Sequence, residues 1–218
     1  MFKDIVSFLS ELKENNNREW FNEHKPTYQK LQKDFTLFVE MLINEIGQFD
    51  RTIAGLEAKK CVFRIYRDVR FSKDKSPYKT NFGGFMVPGG KSSGKAGYYL
   101  HIDPEQSFIA GGVYMPPGPE LKALRNFIME NITEFLEITQ DKQFVSYYGE
   151  LHDDKLKNPP KGFPVDFPFI DLLKYKSYTY FHNLSREDLL NKDLFNNLVS
   201  GFKILSPVNQ FLNNAFSE

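Results

Sequence analysis

The feature that most constrains the fold is a run of short alternating segments between residues 60 and 115. Aromatic and β-branched residues, which are enriched in strands, dominate these segments, and short turn-rich loops separate them. Strands joined by short connections pair antiparallel, because a parallel pair needs a long crossover. The sequence therefore predicts an antiparallel sheet of about four to six strands. The segments are CVFRIYRDVRF, NFGGFMV, GYYLHID and SFIAGGVYM.

Helical patterns flank this block on both sides. Apolar residues recur at helical spacing through residues 1–47, where Asn16 is the candidate N-cap of the second helix. Residues 118–218 are mostly helical in pattern, with one further candidate strand near 175–182. Helices, then strands, then helices is the order of an α+β protein rather than of alternating βαβ units. We therefore predict a single α+β domain over residues 1–218, with N- and C-terminal helices flanking the sheet.

Positive charge is concentrated in one part of the chain. Lys and Arg number 28, as do Asp and Glu, so the formal net charge is zero. Residues 64–80, RIYRDVRFSKDKSPYKT, contain six basic and two acidic residues, which leaves −4 on the rest of the chain. A zero net charge argues against a protein that coats nucleic acid or lies on a membrane surface, but it allows a local anion site.

The basic stretch has the side chains that an anion site needs. Arginine forks and lysine ammonium groups bind phosphate or carboxylate, and a tyrosine hydroxyl donates one more hydrogen bond. We predict a pocket here for an anionic small molecule that bears a phosphate or a carboxylate. The predicted ligand-binding residues are Arg64, Arg67, Arg70, Lys73, Lys75, Tyr78 and Lys79.

Arg67 interrupts the apolar face of this segment. On a strand it would share its face with Ile65 and with other apolar residues at alternate positions. A buried guanidinium is costly unless it is paired, so we expect Arg67 to be mostly buried against a carboxylate or a bound anion. The candidate carboxylates are Glu23, Asp103 and Asp166.

The sequence leaves open whether the protein is an enzyme. If it is, Asp68 and His101 are the candidate general acid or base, because each is a titratable group predicted to lie near the cationic cluster. The four histidines show no metal-ligand spacing, so no metal or other cofactor is predicted, although His101 and Asp103 share one strand face. GGKSSGK, residues 89–95, has phosphate-loop spacing, but Ala96 replaces the magnesium-binding Ser or Thr, so we predict a hairpin loop.

Targeting and redox signals are weak in this sequence. Cys61 is the single cysteine, so an intrachain disulfide is excluded. The N-terminal segment is amphipathic and lacks the apolar core of a signal peptide, and no stretch approaches the roughly 18 apolar residues of a membrane span. We expect a cytoplasmic protein without a membrane partner, and the oligomeric state is not predicted.

Several segments together resemble the domain-of-unknown-function family 2461. The resemblance covers nearly the whole chain, and RDVRFSKDKSPYKT is its most specific part. It implies a mostly bacterial, single-domain α+β protein, and it transfers no activity and no catalytic residue. The segments are NNREWFNEHKPTY, RIYRDVRFSKDKSPYKTNFGG, YYLHIDP with SFIAGGVYMP, and LKNPPKGFPVDFPFIDLLKYKS.

Two alternatives to the small-molecule site stay open. A single-stranded nucleic-acid-binding module would stack bases on Tyr66, Phe71 and Tyr78 while basic residues contact phosphates. The zero net charge argues against nucleic acid as the partner. In the second alternative, a structural or interaction protein, the arginines would be paired internally.

Overall fold

The structure is a computed structural model that describes residues 1–151 and 154–216. Its element order confirms the predicted α+β class with an antiparallel sheet. The helices are α1 (Phe2–Glu14), α2 (Arg18–Phe49), α3 (Ala58–Cys61), α4 (Gly118–Glu130), α5 (Ile132–Thr139), α6 (Lys142–Tyr148), α7 (Ile170–Leu173), α8 (Arg186–Leu190) and α9 (Leu194–Asn214). The strands are β1 (Phe82–Met86), β2 (Gly97–Ile102), β3 (Ser107–Val113) and β4 (Tyr178–Leu184).

Helix α2 begins one residue later than the sequence suggested. Asn17 is its N-cap, and the Asn17 side-chain oxygen accepts a hydrogen bond from the Trp20 N–H at 3.0 Å. Asn16, the predicted cap, instead binds the backbone of Tyr78: its Nδ2 donates to the Tyr78 carbonyl at 3.0 Å, and its Oδ1 accepts from the Tyr78 N–H at 3.1 Å. The predicted cap was wrong because Asn16 holds a distant segment against the start of α2.

The described residues form a four-stranded sheet in the order β1-β2-β3-β4, and every neighbouring pair is antiparallel. Short loops join β1 to β2 and β2 to β3, as the spacing of the segments predicted. The strand expected near 175–182 is β4, and it pairs with β3 after a long excursion through α4–α7. Strand β4 therefore completes the sheet at the β3 edge, although α4–α7 separate the two strands in the sequence.

The first predicted strand, from Cys61 to about Arg67, was wrong. Cys61 ends the short helix α3, and isolated bridges at Val62 and Tyr66 stand in place of a continuous ladder. The reason is that the segment changes partner along its length. It pairs first with β1 and then with residues 77–79 of its own loop, so neither pairing extends into a strand.

Helices α2 and α9 cover one face of the sheet. Tyr98 of β2 packs edge-on against Phe202 of α9, with ring centroids 5.5 Å apart. Gly84 of β1 approaches α2 so closely that an added Cβ would lie 3.0 Å from Val39. Because side chains alternate along a strand, residues next to these, such as Tyr99, lie on the opposite face. The hydrophobic core lies between the helix-covered face and the helices.

Two asparagines of α9 bind the backbone at the ends of β2 and β3. Asn209 is fully buried; its Oδ1 accepts from the Gly112 N–H at 2.8 Å, and its Nδ2 donates to the Gly97 carbonyl at 2.9 Å. One helical turn later, Asn213 makes the same pair of bonds with the N–H and carbonyl of Ala96, at 2.8 and 3.1 Å. The C-terminal helix is thus hydrogen-bonded to the sheet as well as packed on it.

Candidate functional site

The basic stretch folds back on itself as a loop. The Arg67 N–H donates to the Pro77 carbonyl at 2.9 Å, and the Lys79 N–H donates to the Ile65 carbonyl at 2.8 Å, so the two limbs of the loop pair with each other. Phe71 lies near the tip and is 97% exposed. The predicted ligand-binding residues are therefore distributed between the base and the tip of this loop.

Arg67 is paired within the loop. Its guanidinium contacts the Asp74 carboxylate and also donates to the Ser76 carbonyl at 3.2 Å, and 25% of its side chain is exposed. Hydrogen bonds from the Ser76 side chain and backbone, together with Arg67, hold the pKa of Asp74 well below its usual range. The expected carboxylate partner exists, but the candidates were wrong and the burial is partial. The candidates were Glu23, Asp103 and Asp166, whereas Asp74 reaches Arg67 because the loop folds back.

Charged residues at the tip of the loop are also paired with groups of the same loop. Arg70 and Asp68 form an exposed ion pair with Nη2 and Oδ2 2.6 Å apart, and this pairing lowers the pKa of Asp68. Lys75 donates to the Val69 carbonyl at 3.0 Å. Lys73 is exposed at the surface. These contacts fit a self-supporting loop better than a set of cations converging on one ligand.

Tyr78 packs into the core with most of its side chain. It is 5% exposed, and its ring stacks on Phe21 of α2 with centroids 3.9 Å apart. Burial raises the pKa of Tyr78. The contacts of Asn16 with its backbone and of Phe21 with its ring attach the base of the loop to α2.

Two lysines from different parts of the chain lie near the ring of Phe63. Lys91 and Lys79 place their Nζ atoms 4.7 and 5.2 Å from the Phe63 ring centroid, and Lys91 also donates to the Val62 carbonyl at 2.8 Å. Burial, followed by repulsion from Arg64 and Lys91, lowers the pKa of Lys79. In the described parts of the chain, none of these three cations has a carboxylate within ion-pair distance. We call Arg64, Lys79 and Lys91 the Phe63 cation cluster.

Sequence reasoning found two members of the cluster and missed the third. Arg64 and Lys79 lie in the basic stretch, whereas Lys91 comes from the β1–β2 hairpin loop that was predicted from GGKSSGK. That loop folds towards Val62 and Phe63, so Lys91 meets the other two cations from a different part of the chain. No local sequence pattern predicts that Lys91 lies near Phe63, because this depends on how the hairpin loop bends.

Phe63 also forms one wall of a cavity on the sheet face opposite α9. The cavity has a volume of 430 Å³ and is mostly apolar. Ala110 and Thr179 contribute to its lining, and Thr179 is buried, with an Oγ1 that has no hydrogen-bond partner among the described residues. We call this space the sheet cavity. Its aromatic walls are Phe63, Phe85, Tyr99, Phe108, Tyr114 and Phe181.

His101 lies beside the sheet cavity. Its Nδ1 shares a hydrogen bond of 2.8 Å with the Tyr99 hydroxyl, and its ring stacks on Phe108 with centroids 4.6 Å apart. Burial lowers the pKa of His101, although Asp103 acts in the opposite direction. The neutral imidazole is therefore favoured next to two walls of the cavity.

Asp103 has a local structural role. Its Oδ1 accepts hydrogen bonds from the backbone N–H groups of Glu105 and Gln106, at 2.9 and 3.2 Å, which shapes the turn between β2 and β3. Across residues 1–151 and 154–216, no three His, Cys, Asp or Glu side chains group together as a metal site would require.

Comparison with known proteins gives one match. A family model described as "Conserved hypothetical protein (DUF2461)" matches residues 4–211. This chain belongs to that family. The match covers nearly the whole length and confirms the resemblance seen in the sequence. No curated protein and no solved structure matches the chain.

The family assignment supplies no activity. Within the described ranges of this DUF2461 member, none of the helices combines the length and apolar character needed to cross a bilayer.

The burial of His101 predicts a pH dependence of stability. The pKa of His101 is lower in the folded protein than its ordinary value of 6.5, so the unfolded state takes up a proton first as pH falls. We expect the free energy of unfolding to be highest above that value and to decrease as pH falls through it, until the folded-state pKa is reached. Urea denaturation between about pH 7.5 and pH 5 measures this slope.

The matched variant is His101→Gln, which keeps a polar side chain and removes the titration. Its unfolding free energy should change less over the same pH range than that of the wild type. Equal slopes in the two proteins would show that His101 does not contribute.

Proposed function

We propose that this protein binds an anionic small molecule, bearing a phosphate or a carboxylate, through the Phe63 cation cluster. One observation carries the proposal: the Nζ atoms of Lys79 and Lys91 lie 5.2 and 4.7 Å from the same Phe63 ring centroid, and no carboxylate of the described chain is within ion-pair distance of them or of Arg64. Asp68 acts electrostatically on Arg64 but is ion-paired with Arg70, so the repulsion between Lys79 and Lys91 is left for a bound anion to offset.

The proposal retains part of the predicted binding set and leaves Lys73, Lys75 and Tyr78 out of the site. Arg64 and Lys79 stay in the binding site and Lys91 joins them. Arg67 and Arg70 are each satisfied by a carboxylate of their own loop, which fits the structural alternative for these two residues. An anion would have to displace Asp74 or Asp68 to reach them.

Nucleic acid is the less supported partner. Stacking of bases would need Tyr66, Phe71 and Tyr78 together at the surface. Tyr78 is buried against Phe21, whereas Phe71 is fully exposed at the tip of the loop. These rings do not form a continuous platform, and the chain has no net positive charge to hold a polyanion.

The proposal is one of binding, and no catalytic step is assigned to Asp68 or His101. The proposal also keeps the expectation that the protein is cytoplasmic and bacterial. Its partner is a small molecule, since the cluster is small, with two lysines at the Phe63 ring and Arg64 acting electrostatically on Lys79.

The test is a calorimetric titration with inorganic phosphate and, separately, with hexanoate at low salt. Lys79→Met keeps the apolar stem and removes the charge, so we expect it to weaken binding by about tenfold, because hydrogen bonds to charged groups contribute about 1.5–3 kcal/mol. Lys91→Met should act in the same direction.

Lys73→Met is the matched control, since Lys73 carries the same charge on the exposed loop. It should bind both anions as the wild type does. The proposal fails if neither anion binds the wild type, or if Lys73→Met weakens binding as much as Lys79→Met.

A further inference from the structure

The sheet cavity and the cation cluster share a wall. The Phe63 ring borders the cavity on one side of the site and carries Lys79 and Lys91 within about 5 Å of its centroid. The two lysines and the apolar space of 430 Å³ therefore meet at the Phe63 ring. A free inorganic anion would leave this space unused.

The lining of the cavity includes residues of all four strands. Phe85, Tyr99, Ala110 and Phe181 line it, and they are successive register partners on β1, β2, β3 and β4. Three strand spacings of about 4.8 Å make this row roughly 14 Å long. A row of that length along one wall accommodates an extended apolar chain.

The end of the cavity on β4 contains an unsatisfied polar group. Thr179 lies two residues from Phe181 on the same face, is 4% exposed, and its Oγ1 has no hydrogen-bond partner in the described chain. A buried hydroxyl without a partner is destabilising. Rotation about χ1 would turn this hydroxyl towards an oxygen of a ligand that reaches the β4 end.

From these observations we infer that the ligand is an elongated amphipathic acid. Its phosphate or carboxylate lies at the Phe63 cation cluster, its hydrocarbon chain fills the sheet cavity, and an oxygen at the far end of the chain meets Thr179. This inference rests on the proposed anion binding and adds the chemical class of the ligand.

The first test is a chain-length series of unbranched carboxylates from hexanoate to tetradecanoate, titrated below the concentrations at which they aggregate. Each added CH₂ that enters the cavity should tighten binding by up to about fourfold, and the gain should stop once the chain spans the sheet. Ala110→Leu places a larger side chain in the middle of the cavity and should abolish the dependence on chain length. A thermal melt of this variant verifies that it is folded.

The second test addresses the proposed contact between Thr179 and the far end of the ligand chain. It uses Thr179→Val, an isosteric variant that keeps the fold. ω-Hydroxydodecanoate should bind the wild type about fivefold more tightly than dodecanoate, the size of one net hydrogen bond. Thr179→Val should lose this preference and still bind dodecanoate.

The outcomes separate the two proposals. Equal affinity for hexanoate and tetradecanoate, both lost in Lys79→Met, would overturn the amphipathic ligand and leave anion binding intact. Equal affinity for dodecanoate and uncharged dodecanol, unchanged in Lys79→Met, would overturn the amphipathic acid, and the titration with inorganic phosphate then decides the proposed function separately. A chain-length effect that survives Ala110→Leu would mean that the chains bind outside the cavity and would also overturn the inference.

Discussion

Replacing Asn209 with leucine is expected to destabilise the protein by about 4 kcal/mol, because two buried backbone groups lose their partners at once. Leucine has nearly the same length as asparagine, but it can neither accept from the Gly112 N–H nor donate to the Gly97 carbonyl. Asn209 is fully buried, so water cannot replace these bonds in the intact fold. Urea denaturation of the wild type and the variant measures the difference.

Asn197→Leu is the matched control for this experiment. Asn197 lies on the same helix but is exposed, so the same substitution should change stability by less than about 0.5 kcal/mol. If Asn209→Leu is as mild as the control, the bonds between α9 and the sheet contribute little to stability.

Gly112→Ala is expected to be the second strongly destabilising change, with a loss of about 3–5 kcal/mol. Two causes act together. Gly112 has a φ of +104°, which residues with a side chain rarely adopt, and an added Cβ would lie 1.9 Å from the Tyr178 carbonyl oxygen. Because that oxygen belongs to the backbone of β4, relief of the clash requires the two strands to move apart.

Two control glycines separate the causes. Gly55 also has a positive φ, of +80°, but an added Cβ would meet nothing within 4 Å, so Gly55→Ala should lose only about 1–2 kcal/mol. Gly118 has neither constraint, and Gly118→Ala should be close to neutral. Similar losses for Gly112→Ala and Gly55→Ala would show that the clash with β4 is relieved at little cost.

The sequence predicted those parts of the fold that local pattern determines. The strands β1, β2 and β3 were recognisable because alternation and short connections are local properties. The segment from Cys61 was not, although its alternation is real: Ile65 is buried while Arg64 and Tyr66 are exposed. Alternation reports which side of the chain is buried, and it does not report whether one neighbouring strand is present along the whole segment.

The candidate site was predicted in part for a related reason. Charge density identified the region, but it could not separate Arg67, which is paired with Asp74, from Lys79, which has no carboxylate partner in the described chain. Lys91 and Thr179 join the site through the bending of a hairpin and the pairing of β4, which are tertiary events. The sheet cavity itself is a property of packing and has no signature in sequence.

The pairing of β3 with β4 sets the order in which the protein can be completed during translation. Residues 114–177 must be synthesised between the two strands, and at about 5–20 residues per second this takes roughly 3–13 s. During that interval β3 presents an unpaired edge, and the asparagines of α9 have not yet left the ribosome. An open edge of this kind is a template for association with other chains. We expect association of the nascent chain through the edge of β3 to be confined to these seconds.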